Sequence, residues 1–198
     1  MPYSPQSHIV RTINHVMQLN PASVLDVGCG FGRWGFLCRE FLDVVQGRVF
    51  PKDWQVRIDA VEAFEPYILD HHRGLYTNIY IEDLRDCLDR LDDYDVIIAG
   101  DVIEHFEKEE GLALFERLHA KSRRGLLVNI PLGHTEQGEM YGNPWEAHRS
   151  EWELHDFAEY PSYVRLYHLH WGTYAAFTFL RDCTPEQQAY FLLDDADY

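Results

Sequence analysis

The chain is short of positive charge. Its 198 residues carry 17 lysines and arginines against 33 aspartates and glutamates, a formal net charge of −16 at pH 7. A field of that sign repels phosphate backbones unless a local basic patch overrides it, so an extended nucleic acid is not an expected partner. The densest basic cluster, Lys121-Ser122-Arg123-Arg124, falls where a helix is expected to end, and cations there complement the helix dipole. No run of 18 apolar residues is present, and the N-terminus shows no charged-then-apolar leader pattern. Neither a membrane span nor a secretory segment is expected. The four cysteines, Cys29, Cys38, Cys87 and Cys183, show no close pairing and read as free thiols in a reducing cytoplasm. Internal repeats and low-complexity tracts are missing too, and the acidic stretch Leu193 to Tyr198 reads as a frayed end. At 23.3 kDa the length suits one domain over 1–198, with a core of about 20–182 behind an N-terminal helix at 5–19.

What is present is a strand, a glycine turn and a helix in immediate succession. Ser23-Val24-Leu25-Asp26-Val27 is an apolar run interrupted by one acid, and Gly28-Cys29-Gly30-Phe31-Gly32 follows it. Arg33 to Leu42 then carries apolar residues at helical spacing. Glycine lets the backbone adopt positive φ and admits a ligand to van der Waals distance, while a helix N-terminus offers unpaired N–H groups. Further strands end on acids: Gln55 to Val61 on Glu62, Asn78 to Glu82 on Asp83, and Tyr94 to Gly100 on Asp101. Gly125 to Pro131 is a fifth strand. Open parallel sheets bind ligands beyond the carboxyl ends of their strands, which is where Gly28, Glu62, Asp83 and Asp101 fall. Glu62 is placed to accept from a ribose diol. Asp83 is placed to accept from an adenine amino group, with Leu84 against the ring.

These residues resemble the class I S-adenosylmethionine-dependent methyltransferases over roughly 7–182. The match runs through Val24 to Gly32, Glu62, Asp83 and Asp95 to His105. The resemblance implies a Rossmann-like α/β fold: a seven-stranded, mostly parallel sheet with an antiparallel C-terminal hairpin and helices on both faces. It implies S-adenosyl-L-methionine as cofactor, held by Asp26, Gly28, Cys29, Gly30, Gly32, Glu62, Ala63, Asp83, Leu84, Gly100 and Asp101. A nicotinamide dehydrogenase fits less well, because Gly-Cys-Gly-Phe-Gly lacks the third glycine of that fingerprint. Glu62 also lies 30 residues beyond Gly32, where about 20 is usual. Val45 to Trp54 reads as a surface loop that could border the ribose.

The second half carries the polar groups a reaction needs. Asp101, Glu104 and His105 sit together past a strand end, ahead of an amphipathic helix over Glu107 to Leu118. A long polar loop at about 132–148, with His134, Glu136, Glu139, Tyr141 and Trp145, reads as a lid or substrate loop, with His134 and Tyr141 as candidate substrate contacts. Ser150 and Glu153 have capping-box spacing, which predicts a helix starting there with His148 just ahead of it. Tyr163 to Tyr167 and Thr173 to Leu180 read as the last two strands. His71 and His72 read as capping or decorating a helix end. His168, His170, Trp54 and Trp171 read as structural.

The set Asp101, Glu104, His105 and His148 resembles the metal-binding arrangement of two metal-assisted branches of that family, those methylating small-RNA 3′ ends and ubiquinone precursors. The first position here is Asp where those branches have Glu. Without metal, His105 or His148 can take a hydroxyl proton while Asp101 orients the nucleophile, because methyl transfer from a sulfonium needs mainly alignment and a base. The resulting expectation is an O-methyltransferase of a small hydroxylated molecule or sugar, with Asp101, His105 and His148 catalytic. An N-methyltransferase of a small amine and a non-catalytic cofactor-binding regulatory subunit are the alternatives.

Overall fold

The computed structural model describes residues 5–196. The central strands form because each is a largely apolar run buried on both faces of the sheet, whereas the edge strands are only partly buried. The seven strands are β1 (Ser23–Val27), β2 (Arg57–Val61), β3 (Asn78–Tyr80), β4 (Tyr94–Gly100), β5 (Ser122–Leu132), β6 (Ser162–Leu169) and β7 (Gly172–Leu180). Their spatial order is β3-β2-β1-β4-β5-β7-β6. β1 to β5 pair in parallel, and β7 runs antiparallel to both β5 and β6. The order reverses between β1 and β4, so the switch point where such sheets open a crevice lies between Gly28 and Asp101.

The helices are α1 (Ile9–Leu19), α2 (Arg33–Arg39), α3 (Asp70–Arg73), α4 (Leu84–Cys87), α5 (Lys108–Lys121) and α6 (Pro185–Ala196). They cover both faces. On one, Ile13, Val16 and Leu19 of α1 pack with Trp34 and Cys38 of α2, Phe191 of α6, and Val24 and Ile98 of the sheet. On the other, Leu114, Phe115 and Leu118 of α5 pack with Leu84, Cys87, Phe157 and Phe179. The cysteines are unpaired. α6 extends to Ala196 where a frayed end was expected, and the last two residues of that tail lie outside the described residues, as do residues 1–4 of the domain span.

Several local expectations are corrected by tertiary contacts. The basic cluster does serve a helix end, but largely a different one: Arg124, in β5, donates to Leu19 O and Asn20 O at the end of α1, both at 2.8 Å. Arg181 serves the end of α5 instead, donating to His119 O and Ala120 O. No α-helix starts at Ser150. Its hydroxyl accepts from the Trp152 indole at 2.9 Å, and Trp152 is wholly buried in a bridge to Gly133. A short 3-10 turn, Leu154–Phe157, follows. Val45 to Trp54 lies away from the crevice. Buried Asp43 anchors it by accepting from Arg39, from Arg48 Nε at 2.6 Å and from Gln55 N at 2.9 Å, and none of the crevice lining comes from this stretch. Trp54 is structural as expected, under the Arg39 guanidinium at 4.1 Å.

Candidate active site

A cleft of about 330 Å³ opens at the switch point. The turn after β1 forms its floor. Gly28, Gly30 and Gly32 have φ of 66°, 51° and 81°, a region costly for residues with a Cβ. A Cβ on Gly28 would also approach Val102 Cγ2 to 2.8 Å. The turn is held by its surroundings: Gly28 N donates to Val61 O, and Gly30 N donates to Glu62 Oε2 at 2.9 Å. His72 does more than cap α3. Its Nδ1 accepts from Leu69 N, and its Nε2 donates to Gly30 O at 2.9 Å. Beneath, Tyr76 donates to Asp26 at 2.5 Å.

Gly28, Cys29, Gly30, Glu62, Ala63, Asp83, Leu84, Gly100 and Asp101 all line the cleft, whereas Asp26 and Gly32 support it from behind. Burial pushes the Glu62 carboxyl above its usual range, and both its oxygens already accept backbone N–H groups, from Gly30 and Phe64. Asp83 is engaged by Arg85, whose backbone N–H and guanidinium both donate to it, at 2.6–3.1 Å. The same guanidinium lies 5.4 Å from the Phe106 ring and 5.7 Å from the Trp145 ring.

The polar end is built from the segment after β4 and from the 133–148 loop. Asp101 has φ 54°, strained backbone of the kind that collects at functional sites. Its carboxylate accepts from the Tyr174 hydroxyl at 2.9 Å to each oxygen. Glu104, His105 and His148 each present a ligand atom within 4.8 Å of the others. Asp101, expected as a fourth member, is not in that group. Glu104 is wholly buried, and neither of its carboxylate oxygens has a hydrogen-bond partner. Burial, with the Asp101 charge second, raises it well above the ordinary carboxylate range. The imidazoles are 5.2 Å apart. His105 Nδ1 meets Ala147 O at 3.2 Å, and His148 Nδ1 meets Thr135 O at 2.6 Å. A carbonyl can only accept, so each Nδ1 carries the proton and each Nε2 keeps its lone pair. Burial, with His148 second, lowers His105 to about 4, and burial lowers His148 as well. Both rings are therefore neutral near pH 7. A buried carboxylate with no partner beside two imidazole lone pairs fits a divalent cation.

Within the long loop, Thr135, Gln137, Asn143, Trp145, Glu146 and His148 line the cleft. His134 and Tyr141 do not: His134 pairs with Glu151 on the surface and Tyr141 is exposed. Trp171, expected to be structural, is a lining residue beside Tyr174. Glu146, Tyr67 and Tyr174 were not singled out from the sequence. Tyr174 is found only through the register that sets it opposite Pro131.

A glycine cradle and a buried acid at the switch point, facing a polar cluster after β4, make a cleft of the kind in which open α/β sheets bind nucleoside cofactors. The chain belongs to the methyltransferase-domain family, whose model, described as "Methyltransferase domain", matches residues 6–171. It is an S-adenosylmethionine-dependent methyltransferase. No curated protein matches it by sequence. Solved structures do match in fold. Magnesium protoporphyrin IX methyltransferase from Synechocystis, with bound S-adenosylmethionine, has 15% identity and a TM-score of 0.57, covering 89% of this chain and 77% of its own. The 1,6-didemethyltoxoflavin N1-methyltransferase of Burkholderia thailandensis has 19% identity and a TM-score of 0.58, covering 87% and 76%. The N-methyltransferase NodS of Bradyrhizobium japonicum has 9% identity and a TM-score of 0.55, covering 91% and 100%. No helix among the described residues is long and apolar enough to cross a membrane.

Proposed function

We propose that the protein transfers the methyl group of S-adenosylmethionine to a hydroxyl oxygen of a small hydroxylated molecule or sugar. The observation that carries this is the cluster of Glu104, His105 and His148 on the cleft wall, with Glu104 buried and unpartnered. Glu104, His105 and His148 would hold a divalent ion, which when bound lowers the pKa of an acceptor hydroxyl and orients it. The chain's own groups do the remaining work. The glycine turn and Glu62 position the cofactor. Tyr174 fixes the Asp101 carboxylate so that it can orient the acceptor; in the absence of an ion the Nε2 lone pairs of His105 and His148 would instead be free to receive the hydroxyl proton.

Transfer to an amine is the second reading. It is favoured by the acids lining the cleft, Glu62, Glu82, Asp83, Asp101 and Glu146, which suit a cationic acceptor, and by the two N-methyltransferases among the matching folds.

Calorimetric titration of Mg²⁺, Mn²⁺ or Zn²⁺ into protein loaded with S-adenosylhomocysteine tests the O-methylation reading. One-site binding that disappears in His148→Ala supports it and directs the acceptor search to diols, catechols and sugars. Loading without metal binding overturns the metal assignment, leaves the imidazoles as bases, and brings amines forward.

A further inference from the structure

The loop after β5 reaches an unexpected place. β1 and β4 lie between β2 and β5 in the sheet, so a segment leaving β5 must span three strand spacings, roughly 14 Å, to meet residues that follow β2. It does so at Tyr67, whose hydroxyl donates to Glu146 Oε1 at 2.9 Å. The loop is fastened along its length as well. Gln137 Nε2 donates to Glu146 O at 2.7 Å, and His148 N donates to Gln137 O at 2.9 Å. Arg149 N and Ser150 N both donate to Glu104 O. One short segment therefore presents Trp145 beside Arg85 and Asp83, Glu146 near Glu62, and His148 to Glu104 and His105.

Glu146 is 7% exposed and lines the cleft. Its charge is one of those that raise Glu62, behind burial as the main cause. Two carboxylates facing one cleft repel each other, and the arrangement is stabilised when O–H donors sit between them. A ribose diol supplies two such donors. Each Glu62 oxygen already holds a backbone N–H at 2.9 Å and keeps one further acceptor site, so a second carboxylate facing the diol adds to the acceptors available there. We infer that Glu146 is a second carboxylate of the cofactor site: Glu62 and Glu146 share the two ribose hydroxyls of S-adenosylmethionine. Tyr67 holds Glu146 in place for this. The inference rests on the cofactor assignment and is independent of the acceptor and of any metal.

The test is calorimetric binding of S-adenosylhomocysteine and its 2′-deoxy and 3′-deoxy analogues to the full chain, as wild type, Glu146→Gln and Tyr67→Phe. The expected result is that Glu146→Gln weakens S-adenosylhomocysteine by about tenfold or more, as for loss of a hydrogen bond to a charged group. The variant should also lose discrimination against at least one deoxy analogue. Tyr67→Phe should lower the same discrimination by a smaller factor. If Glu146 merely repels Glu62, Glu146→Gln binds equally or more tightly, and the inference is overturned. An equal penalty for all three ligands overturns it too, because the hydroxyls would then not be what Glu146 reads. Should Glu146→Gln fail to fold by circular dichroism, Tyr67→Phe decides, and unchanged discrimination there overturns the proposal. Failure of the wild type to bind S-adenosylhomocysteine would instead overturn the cofactor assignment beneath it.

Discussion

Asp26 sits fully buried under the glycine turn, with Tyr76 donating to it at 2.5 Å. Burial pushes its carboxyl from the ordinary 3.8 up to about 7, with the Tyr76 hydrogen bond opposing the rise. An acid whose folded pKa lies above its unfolded value holds its proton more tightly in the native state. The stability it lends is complete below about pH 4 and is lost as the pH rises through 7. For a shift of that size the loss between pH 4.5 and 8 is about 3 kcal/mol. Buried imidazoles act with the opposite sign. Burial lowers His8 to about 3 and His105 to about 4, so their contributions are present above 6.5 and fade as the pH falls. The wild-type profile sums these slopes, whereas Asp26→Asn removes one of them. Urea unfolding of wild type and variant at several pH values should therefore show their stability difference moving by about 3 kcal/mol in favour of Asp26→Asn between pH 4.5 and 8. A difference that stays flat over that interval would refute the reasoning.

Other perturbations follow from the same packing. A Cβ on Gly35 would lie 2.2 to 2.4 Å from the ring and hydroxyl of buried Tyr76, so Gly35→Ala should lower stability by about 2 kcal/mol even after the gain in helix propensity, read as a fall in Tm. His134 is exposed and pairs with Glu151 at the surface, so His134→Ala should leave Tm and methyl transfer unchanged. A lost activity there would return the outer loop to the substrate site.

The elements that line the cleft at the switch point were legible in the sequence because each is encoded locally. β1 and β4 are apolar runs long enough to be buried strands, the glycines after β1 mark positive φ, and Glu62 and Asp101 follow their strands directly in the chain. Local reading reached its limit where a long-range contact outweighed a local pattern. Ser150 has the spacing of a helix cap, yet burying the large Trp152 side chain draws its hydroxyl to the indole and no α-helix forms. His134 and His148 stand in the same polar loop with nothing in the sequence to rank them. The bridge between Gly133 and Trp152 and the bond from Tyr67 to Glu146 turn one outward and the other inward. Asp101 appeared in sequence to belong with Glu104 and His105, but Tyr174, brought opposite Pro131 by the antiparallel pairing of β7, claims its carboxylate. The sequence by itself determined the fold class, the glycine turn and the acids at the strand ends, since apolar strand patterns and glycine turns are written in adjacent residues. Only the tertiary structure decided which acids and imidazoles meet, because those meetings depend on strand order and on a loop crossing the sheet edge.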